Sequence, residues 1–148
     1  MLRSKICLAD VNVWIALATE RHEYHASARQ WFSSLEDEGV AFCRITQMGL
    51  LRLLTNQTVM ANEVLDPRRA WDSYKSLRRD WRVTFAQEPD GMEEAWIDLM
   101  RKPHAGASWT DAYLAALALG HAYTLVSFDR GFERWRQLPF QLLVPGRA

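Results

Sequence analysis

Three aspartates stand where apolar segments begin or break off. The run "KICLADVNVW" stops on Asp10, "TLVSFDRGF" stops on Asp129, and Asp111 opens the Ala- and Leu-rich run of "WTDAYLAALAL". Carboxylates brought close together repel and raise one another's pKa. A hard, oxygen-seeking cation such as Mg²⁺ or Mn²⁺ removes that cost. If the three meet, the chemistry on offer is that of an acidic divalent-metal site. Taken singly, each has a plainer use. Asp10 and Asp129 suit a cap or turn after a strand. Asp111 follows Ser108 at capping-box spacing, with its charge at a helix N-terminus.

Whether they meet depends on the elements that carry them. The apolar runs at residues 5–9, 40–45, 83–86, 123–128 and 140–144 read as strands. Helical spacing is found at 11–19 and at 25–36, where Ala28, Trp31, Phe32 and Leu35 recur three and four apart and Gly39 closes the helix. Thr46 is placed to cap a helix over 47–54, and Pro67 opens another. Further helices are expected at 92–100 and 111–119, the latter apolar enough to be largely buried. Strands alternating with helices imply parallel pairing through right-handed crossovers. In such a sheet Asp10, Asp129 and Asp111 all fall on the carboxyl edge, where ligands bind at the reversal of strand order.

The 148 residues suffice for one domain with its own core, and no linker, repeat or low-complexity tract divides them. No window approaches the ~18 uninterrupted apolar residues of a membrane span, and the N-terminus reads as the first strand rather than a signal peptide. Cys7 and Cys43 lie in apolar runs, as free thiols do in a reducing cytoplasm, and neither belongs to a C-x-x-C pair. Formal net charge is zero. The stretch 67–82, "PRRAWDSYKSLRRDWR", nevertheless holds six basic residues against two acidic ones, a local +4. Its aromatics fall near helical spacing, so it reads either as an amphipathic helix with solvated arginines or as a wall that tracks phosphates.

Other chemistries find little support. His22 and His25 are three apart, unlike the zinc spacing H-E-x-x-H, and His104 stands alone in a loop. The scattered glycines form no phosphate loop. Ser127 and Cys43 show no base partner in the sequence for nucleophilic catalysis.

The segments "CLADVNVWIAL", "WTDAYLAALAL" and "TLVSFDRGF" resemble the three acidic motifs of PIN-domain nucleases, and more narrowly those of VapC-type toxins. "HEYHASARQWF" and "ITQMGLLRLLTN" are similar to further stretches of such chains, so the resemblance covers nearly the whole sequence. It implies a three-layer α/β/α sandwich with a mostly parallel central sheet, residues 1–148 forming a single PIN-like domain. It also implies Mg²⁺- or Mn²⁺-dependent endonucleolytic cleavage of single-strand-type RNA in the cytoplasm. Asp10, Asp111 and Asp129 would hold the metal. A cognate antitoxin protein would restrain the enzyme, and a homodimer is possible. Asn12, Arg130 and Arg78 are the residues expected to meet substrate. The sequence departs from the family at one position: the usual fourth acid, a glutamate, is replaced by Gly49. Gln47 could offer a neutral oxygen nearby.

Two other functions stay open on sequence. One is a degenerate PIN domain that binds RNA or a protein partner without cleavage. The other is a phosphotransfer domain of the receiver or phosphatase type. Such a domain wants a second acid near the first or a late lysine, whereas the next acid after Asp10 is Glu20 and no lysine follows Lys102.

Overall fold

Side chains of a strand alternate between its two faces, and this alternation builds the core of the protein. The computed structural model describes residues 5–101 and 106–146; Lys102 and His104 lie outside them. In β1 (Ile6–Ala9), Leu8 faces one way, in register with Ala41 of β2 (Gly39–Phe42) and Leu125 of β4 (Thr124–Ser127). Those three pack against α6 (Met92–Leu99) and α7 (Trp109–His121). Ala9, Val40, Phe42 and Val126 face the other way, against α1 (Val11–Ala18), α2 (His25–Ser34), α3 (Arg44–Leu54) and α5 (Pro67–Arg78). Two apolar clusters on opposite faces of one sheet make the expected three-layer α/β/α sandwich.

The sheet is completed by β3 (Val83–Phe85) and β5 (Phe140–Leu142), and its order is β3-β2-β1-β4-β5. Every pairing is parallel. Strand order therefore reverses at β1, and the carboxyl ends of β1 and β4 lie side by side at the crevice where open parallel sheets bind ligands.

Two sequence-based boundaries shift, and one short helix is added. Gly39 does not close α2, which ends at Ser34; it is the first residue of β2. A Cβ there would lie 3.2 Å from Ile6 Cγ1 and 3.4 Å from the Arg82 carbonyl oxygen, a tight fit between the neighbouring chain segments. Thr46 is the third residue of α3 rather than its cap. Its hydroxyl reaches back to accept the Cys43 N–H at 2.9 Å, so the helix starts at Arg44. A short helix, α4 (Gln57–Met60), follows in a stretch too brief to show a period; the Asn56 side chain caps it by accepting the Val59 N–H. Pro67 does occupy the first position of α5, capped by Asp66.

Trp14 anchors the first layer. It is fully buried and stacks on Phe42 with ring centroids 3.7 Å apart. On the sheet's far flank the Arg82 guanidinium donates to the Phe32 and Leu35 carbonyls and pairs with Asp80 at 2.8 Å, tying β3 to the end of α2. Trp14→Ala is expected to lower the unfolding free energy by about 3–5 kcal/mol. Trp81→Ala, at a side chain 72% exposed, should change it by less than about 0.5 kcal/mol. Urea denaturation of the two variants checks the contrast.

Candidate active site at the β1–β4 rim

A serine organises the rim. Ser127, the last residue of β4, is fully buried. Its hydroxyl donates to Asp10 Oδ2 at 2.8 Å, and accepts from Asn12 Nδ2 at 3.0 Å and from the Asp129 N–H at 3.0 Å. Asn12 Oδ1 in turn accepts the Phe128 N–H at 3.3 Å. Asp10 Oδ1 takes the Val11 N–H at 2.7 Å, and Asp129 Oδ1 takes the Gly131 N–H at 2.8 Å. Each acid thus caps the turn it starts, as a lone aspartate would, and yet both are drawn to one place. Asp111 is anchored from the other layer: Ser108 caps α7 by accepting the Asp111 N–H at 3.0 Å.

The electrostatics register the crowding. Burial pushes the Asp10 carboxyl up from its ordinary 3.8 to about 6, with the Asp111 and Asp129 charges adding to the rise, while the Ser127 hydroxyl and Val11 N–H restrain it. Asp111 is raised as well, by burial and by Asp129, against the Ser108 hydroxyl and the cation of Arg134. The three acids therefore feel one another. Among the described residues, no three His, Cys, Asp or Glu side chains already stand as a finished metal-binding set. The donors fit a hard divalent cation in chemistry: oxygen ligands whose charges a cation would relieve.

The other sequence candidates fall in different places. Asn12 belongs to the rim. Gln47 does not present a free oxygen to it, because Arg44 Nη1 donates to Gln47 Oε1 at 2.6 Å. Gly49 faces α1: a Cβ there would lie 3.0 Å from Val11 Cγ2, so a larger residue needs the Val11 side chain to give by a few tenths of an ångström. Next to it a cavity of about 170 Å³ opens between Asp10, Val11, Gly49, Arg52 and Thr110. Arg130 is turned outward onto Glu133 at 3.7 Å. Arg78 lies on α5, donating to the Tyr74 hydroxyl at 2.7 Å over the Phe85 ring, beside the edge strand β3 rather than at β1.

Ser127 does have a carboxylate partner, but with no exposure it ties the site together instead of attacking anything. Cys43 is buried, which pushes its thiol's pKa up and keeps it protonated. His25 and His22 are packing residues: His25 Nδ1 contacts the Ala16 carbonyl at 2.7 Å, and His22 Nδ1 accepts the Tyr24 N–H at 3.0 Å.

One residue at the rim escaped sequence reasoning. The 3-10 turn Arg130–Arg134 carries Arg134 back over Gly131, whose carbonyl accepts Arg134 Nε at 2.7 Å. Only the residue type and its position five places after Asp129 could have hinted at it.

A parallel sheet in the order 3-2-1-4-5 with acids at the β1–β4 rim agrees with a family match. The family model of the PIN domain covers residues 7–138. The chain belongs to the PIN-domain family. Within it, the relatives are VapC proteins. The chain is 41% identical over 143 residues to Ribonuclease VapC41 of Mycobacterium tuberculosis, covering 93% of this chain and 98% of that one. It is 31% identical over 134 residues to Ribonuclease VapC38 of the same organism, covering 85% and 86%. Solved structures share the fold. VapC20 of M. tuberculosis, described as a sarcin-ricin loop cleaving toxin, superposes with a TM-score of 0.67 at 19% identity over 96% of this chain and 99% of that one. VapBC-1 from nontypeable Haemophilus influenzae gives 0.69 at 16% identity over 93% and 97%.

The raised Asp10 has a consequence for stability. Between about pH 4 and pH 6 the folded chain keeps a proton on Asp10 that the unfolded chain has released. Metal-free stability therefore falls as pH rises through that window, by at most about 3 kcal/mol. Asp10→Asn carries no charge at any pH and should flatten the fall. Urea midpoints at pH 4 and pH 7 in chelated buffer report it: the variant should exceed wild type at pH 7, and a lower midpoint there would contradict the assignment.

Proposed function

We propose that the chain is the toxin of a VapBC-like pair: a divalent-metal-dependent endoribonuclease that cuts single-stranded RNA in the cytoplasm and is restrained by a cognate antitoxin. The observation that supports this reading is the Ser127 hydroxyl, which takes the Asp10 carboxylate and the Asp129 N–H together at the neighbouring ends of β1 and β4. Relatives at 41% and 31% identity are named ribonucleases. Solved VapBC assemblies share the fold.

In this reading Asp10, Asp111 and Asp129 hold Mg²⁺ or Mn²⁺. When bound, such an ion supplies positive charge at the scissile phosphate and a more acidic water. The protein's own part is placement. Ser127 and the Val11 N–H fix the Asp10 carboxylate, Asn12 locks the ends of β1 and β4 together, and the Ser108 cap holds Asp111 at the mouth of α7. No helix among the described residues is long and apolar enough to cross a membrane.

One observation favours the second reading, a PIN module that binds RNA or a protein partner without cutting. Gly49 stands where the resemblance implies a fourth acid, so three acids are left to hold the charge of a cation. Cleavage and metal binding separate the two. For the nuclease, cleavage of single-stranded RNA should stop with EDTA and return with Mg²⁺ or Mn²⁺. It should fall by about 100-fold or more in Asp10→Asn and Asp111→Asn. For the inert module, calorimetry should find no Mn²⁺ binding at millimolar metal. Cleavage that survives EDTA would sink the metal-dependent assignment.

A further inference from the structure

Most of the arginines near the two ends of the sheet have ordinary employment. Arg82 pairs with Asp80, Arg130 with Glu133 and Arg101 with Asp98. Arg44 donates to Gln47, and Arg78 to Tyr74. Arg134 is different. It forms no salt bridge among the described residues, although it stands at the rim with the acids.

Its position is built from below and from the side. The Gly131 carbonyl holds Nε at 2.7 Å, and the Trp135 ring lies under the guanidinium, 5.5 Å from its carbon. Trp135 is itself 1% exposed, with its indole N–H donated to the Leu99 carbonyl at 2.9 Å. The guanidinium thus rests on a platform rooted in the core, and its two terminal nitrogens stay available.

Gly131 shows where they point. A Cβ at that glycine would lie 3.1 Å from Asp129 Oδ1 and 3.3 Å from Arg134 Nη2. Carboxylate and guanidinium therefore both border the space where a Gly131 side chain would stand, and they form no ion pair among the described residues. A cation that shares this space with the Asp129 carboxylate without pairing with it is placed to meet an anion arriving there. A guanidinium presents paired N–H donors that match two phosphate oxygens, and it keeps its charge at any working pH.

We propose that Arg134 holds the non-bridging oxygens of the RNA phosphodiester that lies across the Asp111–Asp129 rim. Arg134 is then a catalytic residue of this chain. Its donors meet the phosphate and steady the extra negative charge that phosphorus gathers as the strand is cut. Gly131 serves the same end, because its missing side chain leaves the space between Asp129 Oδ1 and Arg134 Nη2 free. The inference rests on the ribonuclease reading of the site.

The test uses the full chain with Arg134→Met, Arg134→Lys and Arg134→Gly, with Arg101→Met, at an arginine paired with Asp98, as a charge-matched control. At saturating Mn²⁺ and RNA, Arg134→Met should cut about 100-fold more slowly, while Mn²⁺ affinity by calorimetry stays the same or tightens. Arg134→Lys, a single point donor, should recover only part of the rate. Millimolar guanidinium ion should restore activity to Arg134→Gly but not to Arg134→Met, a rescue that a merely structural arginine would not allow. Wild-type rates in Arg134→Met would overturn the proposal, as would a loss of rate matched by a loss of Mn²⁺ binding without rescue. If the wild type cuts no RNA, the ribonuclease reading falls, and binding of a single-stranded RNA oligomer still decides Arg134. A tenfold or greater loss of affinity in Arg134→Met over Arg101→Met supports the phosphate contact, and equal affinities refute it.

Discussion

Two carboxylates have to be held at the edge of a low-dielectric core, and the Ser127 hydroxyl is the group that makes this tolerable. It sits with no exposure at the end of β4, one strand spacing from Asp10, and satisfies Asp10, Asn12 and the Asp129 backbone together. The parallel register of β1 and β4, with Ala9 opposite Val126, sets that distance. A slip of one residue would turn every side chain of β1 to the opposite layer, breaking the core and the rim in one move. The site is therefore a property of the sheet's pairing before it is a property of any acid.

Hydrogen bonds supply position, and burial supplies tension. The Asp10 carboxyl sits near pKa 6 because burial penalises its charge and two more acids stand close by. Such tension is common where function asks for a group that folding alone would not choose. Each carboxylate also takes a backbone N–H of the turn it starts, Val11 for Asp10 and Gly131 for Asp129.

Much of this was legible in the chain. Apolar runs that stop on an aspartate gave β1 and β4 and their edge, because a strand buried on both faces admits no polar residue until it ends. The Ala- and Leu-rich run after Asp111 gave α7. What stayed hidden was set by contacts between distant residues. Gly39 looked like a helix stop because its real task, letting β1 and the Arg82 carbonyl come close, leaves no mark in the local sequence. Gln47 looked available because nothing in its neighbourhood says that Arg44 will take its oxygen. Arg130 adjoins the aspartate in the sequence, whereas nothing in the local sequence points to Arg134. A single 3-10 turn sends the first outward and brings the second home.

The contact between Val11 and Gly49 carries a consequence for how this chain can change through descent. A Cβ at 49 would lie 3.0 Å from Val11 Cγ2. Any larger residue at 49 therefore needs the Val11 side chain to give by a few tenths of an ångström, and the two positions are read as one. A substitution at 49 and a substitution at 11 should not add independently, because each sets the room left to the other.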